Sequence, residues 1–200
     1  MMPKVQNRPK GRPRGFDVEK ALDCALDVFL RKGYEGASMT DLTAAMGIER
    51  PSLYAAFGDK EGLFRKVLDR YVDRSMVFVK LALEEKTARR FVERLLRGAL
   101  ESQTDPHNPP GCLMVQGALS CAEESEPVRE ELTSRRRQLE AVIRARLERA
   151  RKEGDRSVSG SPADLARYLA TVMHGISVQV AGGANRKELQ RVVDTALKVC

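Results

Sequence analysis

The stretch Ser38-Met39-Thr40-Asp41-Leu42-Thr43-Ala44-Ala45-Met46-Gly47-Ile48-Glu49-Arg50-Pro51-Ser52-Leu53-Tyr54-Ala55-Ala56-Phe57-Gly58 decides the fold. Ser38 and Asp41 have the spacing of a capping box, in which a hydroxyl and a carboxylate satisfy the free N–H groups of a helix start. Leu42 and Met46 recur at helical spacing, and Gly47 breaks the run. Pro51 suits the opening of a second short helix, because its missing N–H would find no partner there anyway. That helix, Ser52 to Phe57, ends at Gly58. In a helix-turn-helix the second helix enters the major groove and its early residues meet base edges. Periodicity alone is a weak signal for such a unit, since many helical proteins contain a short helix, a glycine turn and another helix.

Helical spacing continues in both directions. Before the motif, Leu22, Ala25, Leu26 and Phe29 share one face of a helix from Asp17 to Lys32, closed by Gly33. After it, Asp59 caps a helix carrying Leu63, Phe64, Val67, Leu68, Tyr71 and Val72, continuing to about Val79. Further helices are predicted over 87–102, from Cys112 to about Ala122, and from Ser125-Glu-Pro127 to about Lys152. Two more follow, Pro162 to Val180 and a last one holding Leu189 and Val193. The Pro- and Gly-rich segment 104–111 and the segment 154–160 are loops. With no strand pattern anywhere, the expected fold is all-α with about nine helices. The expected organisation is a basic arm over 1–16, a helix-turn-helix domain over 17–60 and a helical regulatory and dimerisation domain over 61–200.

A chain of 200 residues that is 42% hydrophobic and 32% charged has a globular profile and length enough for a real core. Its apolar runs fall short of a membrane span, and the basic N-terminus lacks the apolar segment of a secretory signal, so a cytoplasmic location is expected. Net charge is +7, and its distribution says more than its size. Lys4, Arg8, Lys10, Arg12 and Arg14 precede Phe16 with no acidic residue among them. Such a segment is either a solvated tail or an arm that orders on DNA phosphates or in the minor groove. The Pro-restrained Gly11-Arg12-Pro13-Arg14 favours the arm. Four cysteines, Cys24, Cys112, Cys121 and Cys200, show no CxxC pairing and no histidine at ligand spacing, so neither metal nor cofactor is expected.

The residues around the motif resemble those of the TetR family of bacterial regulators. The likeness is carried by Gly11-Arg-Pro-Arg-Gly-Phe16, Ala25-Leu-Asp-Val-Phe29, Gly33-Tyr34, Ser38-Met-Thr-Asp-Leu42, Met46-Gly-Ile48, Pro51-Ser-Leu-Tyr54 and Phe57-Gly-Asp-Lys60-Glu-Gly-Leu63. It is close over about the first 65 residues and looser beyond. The resemblance implies a homodimer on a pseudo-palindromic operator, with an N-terminal DNA-binding domain and a variable domain that takes a small-molecule effector. Its DNA contacts map onto Arg12, Arg14, Ser38, Thr40, Arg50, Pro51, Ser52, Tyr54 and Lys60. Arg50 is the chief candidate for base readout, since Arg is the usual partner of guanine O6 and N7. Tyr54 and Lys60 are phosphate candidates, and no residue is assigned a catalytic role.

The regulatory half is less legible. Candidate effector-pocket residues are Phe91, Leu95, Cys112, Met114, Gln116, Tyr168 and His174, each also suited to plain core packing. Candidate dimer-interface residues are Leu165, Leu169, Val172, Ile176, Val180, Leu189 and Val193, with small residues allowing close helix approach. Cys112 sits at a predicted helix N-terminus, which lowers a thiol's pKa and would suit an oxidant or electrophile sensor, but a small buried packing residue is the favoured reading. Arg135, Arg136 and Arg137 read as a solvated face pairing with Glu131 and Glu140. An α-helical enzyme is disfavoured by two histidines in all and no nucleophile–base pair. A non-specific nucleic-acid binder is disfavoured by the concentration of basic charge in the arm. The reading is a sequence-specific transcriptional regulator, with repression through polymerase blocking as the simpler mode.

Overall fold

The computed structural model describes residues 15–106, 111–119 and 125–200. Arg12, Arg14 and Cys121 lie outside them. Among the described residues there are ten α-helices and no strand. They are α1 (Val18–Gly36), α2 (Met39–Met46), α3 (Arg50–Phe57), α4 (Lys60–Ser75), α5 (Val77–Leu83), α6 (Ala88–Thr104), α7 (Leu113–Leu119), α8 (Glu126–Lys152), α9 (Pro162–Ala181) and α10 (Arg186–Val199).

The helix starts follow the sequence closely. Asp17 caps α1 by accepting from the Glu19 and Lys20 N–H groups, and Asp59 caps α4 by accepting from Gly62 N–H at 2.7 Å. Ser38 and Asp41 form the expected capping box at α2. A second box, Asn185 with Glu188, opens α10. Ser161 holds the N-cap position of α9, yet its hydroxyl makes no cap hydrogen bond. Gly47 closes α2 at φ 64°, ψ 33°, left-handed geometry that strains any residue with a Cβ. The bend at Gly33 has φ 68° and ψ 178°, after which the chain resumes a further turn to Gly36.

One helix expected to run from Asp59 to Val79 is divided at Met76, where φ is −103° and ψ is 16°. The division is tertiary in origin. α4 packs on α1, whereas α5 packs along α6. Phe78 presses so closely on Gly98 that a Cβ there would lie 2.6 Å from the Phe78 Cβ. One straight helix cannot face both partners.

Buried residues form two clusters. The first joins α1–α4 with Cys112–Val115 and with Val128 and Leu132 of α8. Its centre is aromatic: Phe64 meets Phe29 edge-on at 4.9 Å and Tyr34 at 5.0 Å between ring centroids. The second cluster is built from α5, α6, the C-terminal half of α8, α9 and α10. Met76 packs against both. α4 thus shares a core with the helix-turn-helix, contributing Leu63 through Tyr71 to it.

Candidate nucleic-acid interface

The recognition helix is held by two residues and displays the rest. Leu53 is fully buried and Phe57 nearly so, anchoring one side of α3 in the first cluster. Arg50, Pro51, Ser52, Tyr54 and Ala55 are all exposed on the other side. Tyr54 is 49% exposed, so its ring is not a core residue. Ser38 and Thr40 are exposed at the start of α2.

Arg50 is not left to wander. Its guanidinium Nη2 donates to Thr40 Oγ1 at 2.8 Å, which ties the first residue of α3 to α2. A long side chain restrained in this way loses less entropy on meeting a base edge. Asp41 is engaged beneath it, with Lys32 Nζ at 2.7 Å and the Ser38 backbone N–H at 3.0 Å. Lys32, then Ser38, hold its carboxyl down to about 2, so the capping box is charged at neutral pH.

Lys60 opens α4 on the same edge. Its Nζ sits 4.5 Å over the Tyr34 ring and 3.5 Å from the Glu35 carbonyl oxygen, a cation–π and hydrogen-bonded perch. Partial burial pushes its pKa down. It remains half-exposed, a point charge beside the recognition helix. No sequence periodicity links Lys60 to Tyr34 or Arg50 to Thr40; those pairings exist only once α1–α4 have packed.

Gly62 sets how α3 meets α4. A Cβ built there would lie 2.3 Å from the Phe57 backbone oxygen, so the end of the recognition helix rests directly on the first turn of α4. We expect Gly62→Ala to destabilise the chain by about 1–3 kcal/mol, as over-packing against an immobile group does. The helix content by circular dichroism should be unchanged while operator affinity falls at least tenfold. Full operator affinity in that variant would show that the α3–α4 contact does not position the reading helix.

Residues 21–67 match the family described as bacterial regulatory proteins, tetR family, and residues 88–196 match the tetracyclin repressor-like C-terminal domain. The transcriptional repressor ComR of Escherichia coli (strain K12) is 32% identical over 194 residues, 96% of this chain and 92% of ComR. The chain belongs to the TetR family. It is a DNA-binding transcriptional regulator. Among solved structures, a cysteine variant of the TetR-family regulator CifR, complexed with 26-base-pair operator DNA, superposes with a TM-score of 0.89. It is 42% identical, over 94% of this chain and 98% of CifR. A TetR regulator from Rhodococcus sp. RHA1 is 40% identical over 90% of this chain and 96% of its own, with a TM-score of 0.60.

Within this TetR frame most of the candidate effector residues divide between the two buried clusters. Phe91 and Leu95 are fully buried in the second cluster, whereas Cys112 and Met114 belong to the first. Tyr168 lies half-buried against α10, beside Ala196 and Thr195. His174 is half-buried with an unpartnered Nε2; burial, and then the positive charge of Arg136, push its pKa down. The Gln116 carboxamide folds back over Gly111, and its Oε1 is buried without a partner.

Cys112 is a buried packing residue, the favoured of the two alternatives for it. Burial pushes its pKa up, outweighing a hydrogen bond donated by the Tyr71 hydroxyl and the Met114 and Val115 N–H groups at the α7 start. The helix N-terminus is there, but the thiol has no water to stabilise its ionised form. Tyr71 is itself buried and held neutral, so Cys112 is part of a seam between α4 and α7. We expect Cys112 in the folded protein to react with a maleimide at neutral pH at least tenfold more slowly than a free thiol. A rate equal to that of the denatured chain would return the sensor reading.

The basic run on α8 is also more than a solvated face. Arg135 bridges Glu131 at 2.7 Å and Asp69 of α4 at 2.6 Å. Arg136 donates to the Met114 carbonyl oxygen and to Thr133 Oγ1. Glu140 pairs with Arg167 of α9 at 3.0 Å instead of with its own helix.

The candidate interface residues divide. Leu169, Ile176, Leu189 and Val193 are buried within the protomer, as is Leu165 at its margin, because α9 and α10 turn those faces onto α6. Val172 and Val180 are half-buried, and the exposed apolar residues of the pair are Val178, Val192 and Val199. A helix that is apolar over a wide arc fills its own core first. What is left for a partner is the remaining flank. Among the described residues no group of three or more His, Cys, Asp or Glu is arranged to hold a metal ion. None of the described helices is long and apolar enough to cross a membrane.

Proposed function

We propose that this chain is a cytoplasmic repressor, a binding protein and not an enzyme, that occupies a two-fold symmetric operator as a homodimer. It leaves the operator when a small molecule binds the helices after residue 60. The observation that carries the reading is the exposed face of α3, where Arg50 is pre-positioned by Thr40 and Tyr54 stands clear of the core. Arg50, Pro51 and Ser52 would meet base edges, with Tyr54, Lys60, Ser38 and Thr40 on the phosphates that flank them. One eight-residue helix touches few bases, so two copies about one helical turn apart supply the affinity. The exposed valines of α9 and α10, Val178 and Val192 with half-buried Val172 and Val180, are the surface through which two protomers would meet.

DNA from the region upstream of the gene tests this. Footprinting with the purified chain is expected to protect one two-fold symmetric site. Tyr54→Phe, which removes only a hydroxyl, should weaken binding to every sequence alike by about 1 kcal/mol. Protection without symmetry, or protection of all sequences equally, would defeat the operator reading.

A further inference from the structure

A cavity of about 270 Å³ lies where α4 gives way to α5, with α8 as the opposite wall and Met114 of α7 at one end. Met76, Leu83, Leu139 and Val142 make most of its lining apolar. The charged residues that line it are both cations, Lys80 and Arg135; no carboxylate does. Arg135 is already engaged by Asp69 and Glu131. Lys80 is exposed and pairs with no carboxylate among the described residues. The cavity therefore presents an apolar trough with one uncommitted positive charge.

We infer that this cavity binds an amphipathic monoanion, an unbranched apolar chain of about eight carbons ending in a carboxylate. The size follows from the volume: at roughly 30 Å³ for each water-sized group, it holds about nine. The head group follows from the lining. An apolar cation would meet Lys80 with like charge, while a carboxylate gives the exposed ammonium an ion-pair partner that a neutral chain lacks. The trough also sits where an occupant matters. Met76 packs against both buried clusters, Met114 belongs to the one beneath the helix-turn-helix, and Val72, also in the lining, packs against it. Filling the cavity presses on the joint between the DNA-reading core and the rest of the chain.

Binding is independent of the proposed regulation, but its consequence at DNA rests on that reading, and the two are tested apart. Calorimetric titration of the full chain without DNA uses octanoate, hexanoate, 1-octanol and octyltrimethylammonium as probes. Octanoate is expected to bind, and hexanoate about fifteenfold more weakly, at roughly fourfold for each buried methylene lost. The alcohol should bind about threefold to fivefold more weakly, as befits loss of a solvent-exposed ion pair, and the ammonium more weakly still. K80Q should bring octanoate down to the level of the alcohol. V142W, at a position 41% exposed, should fill the trough and abolish binding. If V142W does not fold, K80Q and the chain-length series decide alone. No octanoate binding at millimolar concentration, equal binding of the ammonium, or octanoate binding unchanged in K80Q overturns the inference. If octanoate binds as described and operator affinity does not change, the site stands and the effector-release reading falls.

Discussion

Arg50→Ala is expected to abolish sequence-specific DNA binding while leaving the fold and the weak, salt-sensitive association with DNA in place. A bidentate arginine–guanine contact discriminates by about 1–3 kcal/mol, and a two-fold symmetric complex would contain it twice. The combined loss, about 4 kcal/mol, is a factor on the order of a thousand in affinity. Because Arg50 is exposed and its hydrogen bond goes to a surface threonine, its removal leaves no buried group unsatisfied. Titration of labelled operator and of a scrambled duplex at two salt concentrations separates the effects. The operator should fall toward the scrambled value, with little change in that value itself. Thr40→Val should show a smaller loss of the same kind, since the guanidinium then searches for its base unaided. An Arg50→Ala protein that still prefers the operator a hundredfold would remove Arg50 from base readout.

Phe64→Ala is the corresponding experiment on the core. The ring is fully buried and makes edge contacts with Phe29 and Tyr34, so one substitution opens a space among three helical segments. Truncations of this kind cost about 3–5 kcal/mol, and a chain of this size loses roughly 2–4 °C of melting temperature per kcal/mol. We expect a fall of about 10 °C by thermal denaturation, with Phe64→Leu retaining most of the stability. The effect should reach DNA binding too, because Lys60 sits over the Tyr34 ring that Phe64 supports. A melting temperature within about 2 °C of the parent would mean that the neighbouring rings collapse into the space.

Much of the fold is written locally. Capping at Asp17, Ser38 and Asp59, the proline at the start of α3 and the left-handed Gly47 each depend on a few adjacent residues, and each forms as its local chemistry dictates. The reading face of α3 is legible for the same reason: Leu53 and Phe57 must go in, so Arg50, Ser52 and Tyr54 must come out. The break at Met76 is not local. It arises because α4 and α5 answer to different neighbours, and no residue in that stretch is a helix breaker by itself.

The same distinction applies to α9, α10 and Cys112. Helical spacing says that α9 and α10 are apolar, but not which part of the arc is used within the protomer; packing on α6 takes Leu169, Ile176 and Val193 and leaves Val178 and Val192 outside. A helix N-terminus says that Cys112 is poised to ionise, but not whether water reaches it, and burial wins. Local chemistry along the chain fixes the caps, the turns and an apolar stripe for each helix, and with them a DNA-reading unit. Tertiary structure alone decided the partners of Arg50 and Lys60, the protonation of Cys112 and the trough between α5 and α8. Those depend on residues far apart in the chain, and their energies come from solvent exclusion and contact, which exist only after the helices have met.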